Sequence, residues 1–166
     1  MFKLQDKDSN YYAQIVQLNI GIKHPNADSL QIWLVNNYNV ITDLSYTKGQ
    51  TCVFFPVECQ INPLILSYLN MYEDKTLNQD KEKKGYIHPK GRVRAVKLRG
   101  EVSDGLLIDF GVLVKALNFC GANIGMIGIG ANEPPFDHYG DIWICKKYIP
   151  IIKEARNSGT GAKVKG

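Results

Sequence analysis

Between residues 11 and 55 the chain is cut into short β-forming runs, each closed by turn residues before a helix could develop. Tyr11 to Ile20 alternates, with Ala13, Ile15 and Gln17 on one side and Tyr12, Gln14, Val16, Leu18 and Ile20 on the other. That period belongs to a strand with one dominantly apolar face. His24-Pro25-Asn26-Ala27-Asp28 predicts a turn: Pro25 fixes one φ, and Asn26 and Asp28 can bond back to the backbone. Leu30 to Val35 reads as a second strand, Asn36 to Asn39 as a hairpin tip, and Val40-Ile41 as the start of the return. Lys48-Gly49-Gln50 is another turn, and Thr51 to Phe55 is a strand rich in β formers that Pro56 stops.

The second half adds helices without losing this character. Residues 63–72 suit a helix, capped by Asn62 and opened by Pro63, and residues 73–85 read as a mobile polar loop. Residues 91–99 alternate again, so Arg92 and Arg94 are expected to share a sheet face. Residues 100–105 read as a turn between two glycines, and Leu106-Leu107-Ile108 as a buried strand. A short helix is predicted over 109–118, a glycine-rich loop over 121–135, and a last strand or extended arm over 141–148. The whole predicts a mainly β fold, a five-stranded OB-type β-barrel with one or two short helices. Residues 1–150 would form that domain, and 151–166 a C-terminal extended linker rich in Gly, Ser, Thr and Lys.

At 166 residues and 45% hydrophobic the chain can bury one core, and a second domain of ordinary size does not fit. No apolar run approaches the ~18 residues of a membrane helix, and the N-terminus has no apolar stretch of signal-peptide length. A cytoplasmic location is expected, or the host cytoplasm if the gene is viral. Cys52, Cys59, Cys120 and Cys145 form no CxxC pair, which argues for buried thiols and against zinc. His24, His88 and His138 lie far apart in proline-flanked or polar surroundings, and no nucleophile–histidine arrangement is visible. Gly128-Ile129-Gly130 is no dinucleotide fingerprint, because Glu133 stands where the third glycine belongs.

Charge carries the functional signal. The net charge of +4 is unevenly spread: Lys81, Lys83, Lys84, Lys90, Arg92, Arg94, Lys97 and Arg99 face one acid, Glu82. The tail adds Lys146, Lys147, Lys153, Arg156, Lys163 and Lys165 against Glu154. Such clusters favour a polyanion through counterion release. Glu58, just after an apolar strand, needs a cation among Arg92, Arg94 and Arg99, because burying a lone carboxylate is costly.

His24-Pro25-Asn26-Ala27-Asp28-Ser29-Leu30, Lys48-Gly49-Gln50, Lys97-Leu98-Arg99-Gly100 and Ser103-Asp104-Gly105-Leu106-Leu107 fall in the order found in two OB-fold groups. One is the tRNA-binding domain of some aminoacyl-tRNA synthetases. The better fit is the ATP-dependent RNA ligase family with an OB-like domain ahead of its nucleotidyltransferase domain. Val53-Phe54-Phe55-Pro56-Val57-Glu58, then Ile61-Asn62-Pro63, resembles its Val-Tyr-Phe-Glu-Ile-Asp run into Leu-Pro. Arg92, Arg94 and Lys97 to Gly100, with Ser103 to Leu106, resemble its arginine and Lys-Leu-Arg-Gly pattern, Asp104 replacing a glutamine. Lys147-Tyr148-Ile149-Pro150 is similar to its exit run.

The resemblance implies an enzyme that seals RNA ends, or nicks with RNA on the 3′-OH side, using ATP and a divalent metal through a lysyl-adenylate. Lys163-Val164-Lys165-Gly166 departs from the family's K-x-D/H/N-G motif at Lys165, so this chain is expected to form no adenylate and to need no cofactor itself. Its expected part is grip on RNA or a nicked duplex, beside a covalently linked nucleotidyltransferase domain. Candidate phosphate contacts are Arg92, Arg94, Lys97, Arg99, Lys146 and Lys147, and candidate stacking residues are Trp33, Tyr38 and Phe54. A freestanding tRNA-type binding module, or a virion protein that reuses the fold, are the alternatives.

Overall fold

The computed structural model describes residues 1–125 and 133–150. The Gly128-Ile129-Gly130 cluster, the 151–166 linker and the cations Lys153, Arg156, Lys163 and Lys165 lie outside the described residues. Strands β1 (Phe2–Lys3), β2 (Gln14–Gln17), β3 (Ile20–Lys23), β4 (Leu30–Val35), β5 (Tyr38–Asp43), β6 (Thr51–Phe55) and β7 (Cys59–Ile61) lead into helix α1 (Pro63–Tyr68) and a 3-10 turn, Lys75–Leu77. Strands β8 (Val96–Leu98), β9 (Glu101–Ser103) and β10 (Leu106–Asp109) precede helix α2 (Phe110–Phe119). Strands β11 (His138–Tyr139), β12 (Ile142–Trp143) and β13 (Cys145–Lys147) follow.

The strands run in OB-like order, but among the described residues no continuous ladder closes them. Two antiparallel sheets, β10-β6-β2 and β3-β4-β5, make the barrel wall. Residues 11–20 do not form one strand. The chain bends at Leu18-Asn19, where Leu18 exchanges backbone bonds with the 49–50 turn (3.0 Å from its amide to the Gln50 carbonyl, 2.6 Å from the Gly49 amide to its own). The bend releases β2 from β6 and hands β3 to β4, so Leu18 is buried while Ile20 is exposed. Across the barrel, β5 meets β9 at a seam. There the Ser103 hydroxyl accepts from the Ile41 amide at 2.9 Å, and the Asp104 amide donates to the Asn39 carbonyl at 2.8 Å. A side chain thus stands in for part of a ladder. Gly105 ends the seam at φ 122°, where a Cβ would lie 2.5 Å from the Phe54 ring.

Two cores share β6. Cys52 and Phe54 face the barrel interior with Leu18, Trp33, Val35, Val40 and Leu107. Val53 and Phe55 face the opposite way, against Ala13, Leu106, Ile108 and the helix residues Ile65, Leu66, Leu113 and Leu117. Burial on both faces is why this strand reads as a continuous apolar run. Deleting the Phe55 ring would cost about 3–5 kcal/mol. The β4–β5 hairpin turns on Asn36 and Asn37, both left-handed (φ 50° and 69°), which matches the twist of its strands.

Helix α1 starts as expected: the Asn62 side chain accepts from the Leu64 amide at 2.8 Å, with Pro63 in the first turn. It ends at Tyr68, not at residue 72, because Asn70 turns left-handed (φ 57°) and its side chain accepts from the Asp80 amide. Segment 73–85, expected as a mobile polar loop, carries a 3-10 turn and internal bonds to a buried side chain. Asn78 is fully buried, accepts from the Tyr72 amide and donates to the Tyr72 and Lys83 carbonyls at 3.1 and 2.8 Å. Helix α2 is capped by Asp109, whose carboxylate accepts from the Val112 amide at 3.1 Å.

Candidate nucleic-acid interface

Residues 91–99 do not form one strand either. Arg92 bridges Gln60, Val93 exchanges backbone bonds with Glu58 and Cys59 (2.7 and 2.8 Å), and ladder pairing resumes at Val96 with β9. Arg99 and Gly100 form the β8–β9 hairpin tip, both left-handed (φ 53° and 89°), and residues 101–103 are strand where a turn was expected. The hairpin is clasped by the 24–28 turn: His24 Nε2 bonds the Leu98 carbonyl at 2.8 Å, and Asn26 Nδ2 donates to the Arg99 carbonyl at 2.9 Å.

The six cations named from sequence fall into two groups with Arg94 between them. Around β7 and β13, Gln60 pairs with Lys146 on one side and bridges Arg92 on the other. Residues directly opposite share a sheet face, so Arg92, Gln60 and Lys146 form a row away from the buried Cys59, Ile61 and Cys145. Lys146 lies 4.6 Å from the Trp143 ring centre, and Lys147, on the other side of its strand, 5.6 Å from that of Tyr11. Lys97 and Arg99 stand exposed on the β8–β9 hairpin. Arg94 is exposed at the mouth of a cavity of about 430 Å³.

Glu58 takes Arg92 as its partner. The guanidinium donates to both carboxylate oxygens, from Nε at 3.0 Å and Nη2 at 2.7 Å, and lies 5.0 Å from the Tyr148 ring centre. Hydrogen bonding to Glu58 raises the Arg92 pKa. Glu58 is left-handed (φ 73°), and its carbonyl accepts from the Tyr148 amide at 2.8 Å. The fork of Arg92 is therefore already occupied. Among the described residues, Arg94, Lys97, Arg99, Lys146 and Lys147 form no ion pair.

Of the three stacking candidates, Trp33 and Phe54 are buried in the barrel interior, whereas Tyr38 is 50% exposed. Its ring stacks on Phe54 with 6.0 Å between centres and 17° between planes. Tyr38 borders a second cavity, about 300 Å³, shared with Tyr11, Asn10 and Asp104. Tyr11, Gln60, Trp143 and Tyr148 escaped the sequence argument. The interleaving of lysine and aromatic residues over 143–148 was the available signal.

The remaining polar groups are structural. His24 is buried, and His88 Nδ1 accepts from the Lys90 amide. Asp137 accepts from the Gln5 and Asp6 amides at 2.7 and 3.1 Å and meets His138 Nδ1 at 2.9 Å. Burial pushes its carboxyl up, but these partners outweigh burial and hold it below the usual carboxylate range. Cys52, Cys59 and Cys145 are buried, and Cys120 is half-buried. Burial, helped by Asp109, pushes the Cys52 thiol up to about 12. Among the described residues no group of His, Cys, Asp and Glu could hold a metal ion, and no helix is long and apolar enough to cross a membrane.

Three solved structures of a Naegleria gruberi RNA ligase share this fold. The ligase with PPi aligns at a TM-score of 0.54 and 16% identity, over 88% of this chain and 37% of the ligase chain. A variant with AMP and Mn aligns at 0.51 and 15% identity, over 84% and 35%. A variant with ATP and Mn gives 0.51 and 15%, over 86% and 37%. The chain thus spans a little over a third of these ligases' length, and at such identity the likeness is one of fold. No curated protein matches the chain in sequence. A family described as an OB-fold domain matches residues 13–110, more than half the chain, and this protein belongs to that family.

Proposed function

We propose that this OB domain grips RNA for an ATP-dependent RNA ligase, holding the strand near a nucleotidyltransferase domain that lies elsewhere in the protein. The observation that carries the reading is the set of five cations with no acidic partner among the described residues, Arg94, Lys97, Arg99, Lys146 and Lys147, of which Lys146 and Lys147 lie beside the half-exposed rings of Trp143 and Tyr11. Lone lysines on a surface are solvated and carry no meaning. Here the cations gather on two elements, the 94–99 segment and β13, and aromatic faces accompany those on β13, as a single strand of sugar-phosphate and bases would require. The fold likeness to RNA ligases favours RNA as the polyanion.

In this reading Arg92 positions rather than binds. Its pair with Glu58 and its stack on Tyr148 fix the end of β13, and so the direction in which Lys146 and Lys147 point. ATP and a divalent metal would serve the catalytic domain. The test is fluorescence anisotropy with a labelled single-stranded RNA and a nicked duplex at low salt. Arg94→Ala combined with Lys146→Ala is expected to weaken binding roughly tenfold or more. Unchanged affinity in that double variant would remove these residues from the interface.

A further inference from the structure

We infer that the cavity at the β5–β9 seam receives one nucleobase, turned out of the strand that the cations hold. The inference rests on the RNA-binding reading for its strand, but the cavity has its own evidence. Its volume of about 430 Å³ lies within the ~300–1,000 Å³ usual for small-molecule sites. The walls are apolar, Ile41, Val96, Leu98 and Leu106, and Met71 and Tyr86 line it as well. Tyr86, 56% exposed, stands at the cavity rim. A flat heterocycle needs such apolar faces and a few polar atoms at its edge.

The polar atoms are present. The Ser103 hydroxyl is 3% exposed and lines the cavity. Its oxygen accepts from the Ile41 amide, and its hydrogen has no acceptor among the described residues. A buried donor left unpaired is costly, and an acceptor on a base edge would relieve it. The Tyr46 hydroxyl donates to the Leu107 carbonyl at 3.1 Å and keeps a lone pair for a donor on the same edge. Arg94, exposed at the mouth and without an acidic partner, is placed for the phosphate attached to that base. An aliphatic peptide side chain would use the walls but neither Ser103 nor Arg94.

The experiment is methyl NMR on the full chain, titrated separately with 5′-AMP and with a single-stranded RNA carrying one 2-aminopurine. Expected are saturable shifts at the Ile41, Leu98 and Leu106 methyls with both probes, none at Leu117 in α2, and a change in 2-aminopurine fluorescence on binding. Val96→Phe fills the cavity, and Tyr86→Ala, at its exposed rim, leaves the fold intact. Each should weaken the AMP response roughly tenfold, the scale of one lost stacking contact. RNA binding that depends on salt but leaves the cavity methyls unmoved would overturn the inference and spare the RNA reading. AMP shifts in the cavity without RNA binding would overturn the RNA reading and, with it, the inference of a base turned out of a bound strand, leaving only a nucleotide site. Shifts produced by an apolar peptide and not by AMP would also overturn it.

Discussion

The imidazole of His24 donates from Nε2 to the carbonyl of Leu98 at 2.8 Å, joining turns 74 positions apart in the chain. Its Nδ1 accepts from the Asn26 amide at 3.0 Å. Two runs that the sequence keeps far apart, 24–30 and 97–100, are halves of one clasp holding the β8–β9 hairpin. His24 is 1% exposed, so His24→Ala empties a buried site and removes its part-buried bonds to the Asn26 amide and the Leu98 carbonyl. A loss of about 2–3 kcal/mol is expected in urea denaturation. Asn26→Ala, at an exposed bond, should cost less.

Asp137 predicts a pH dependence. Its carboxyl is held below the ordinary value by the Gln5 and Asp6 amides and His138, despite burial. A depressed folded pKa stabilises the fold fully above the unfolded value of about 3.9, and that stabilisation is lost as pH falls through the lower folded value. The gap in Tm between the parent and Asp137→Asn should therefore be constant at neutral pH and narrow below about pH 4. A gap that widens with acid would contradict this.

Asn78 predicts protease sensitivity. Its side chain holds the Tyr72 backbone and the Lys83 carbonyl from inside a charged loop. Asn78→Ala should lower stability by about 3 kcal/mol. Trypsin should then cut at Lys81, Lys83 or Lys84 well before the rest of the chain unfolds. Cleavage at the parental rate would show that the loop is held by something else.

Thiol reactivity should be graded. Cys52, Cys59 and Cys145 are buried, and Cys52 is pushed up to about 12. Cys120 is raised by burial as well, but it is half-buried. Since the thiolate is the reactive form, a disulfide reagent at neutral pH should label Cys120 first and the other three only on unfolding.

Local signals were legible wherever one residue type decides the backbone. The strands Leu30–Val35 and Thr51–Phe55, the Asn62–Pro63 helix start and the turn at Gly49 lie where the pattern puts them. Long-range choices were not. Nothing within residues 11–20 shows that Leu18 will bond to the 49–50 turn and bend the strand. The polarity of 73–85 hides a buried asparagine, because an asparagine that staples a loop has the same composition as one in solvent. For the interface, the cations were visible as charge, but which of them is already paired depends on Glu58, and that partnership forms only in the fold. Tyr11 was missed for the same reason: Lys147 meets it across the barrel end.

Five cations that form no ion pair among the described residues are proposed to grip a phosphate strand, and the salt dependence of RNA affinity is the sharpest test of that grip. If all five meet phosphates, log affinity should fall against log salt with a slope of roughly −3.5 on single-stranded RNA. Each Lys→Ala or Arg→Ala among Arg94, Lys97, Arg99, Lys146 and Lys147 should flatten it by about 0.7. A slope near zero, or one that these substitutions leave unchanged, would contradict the account.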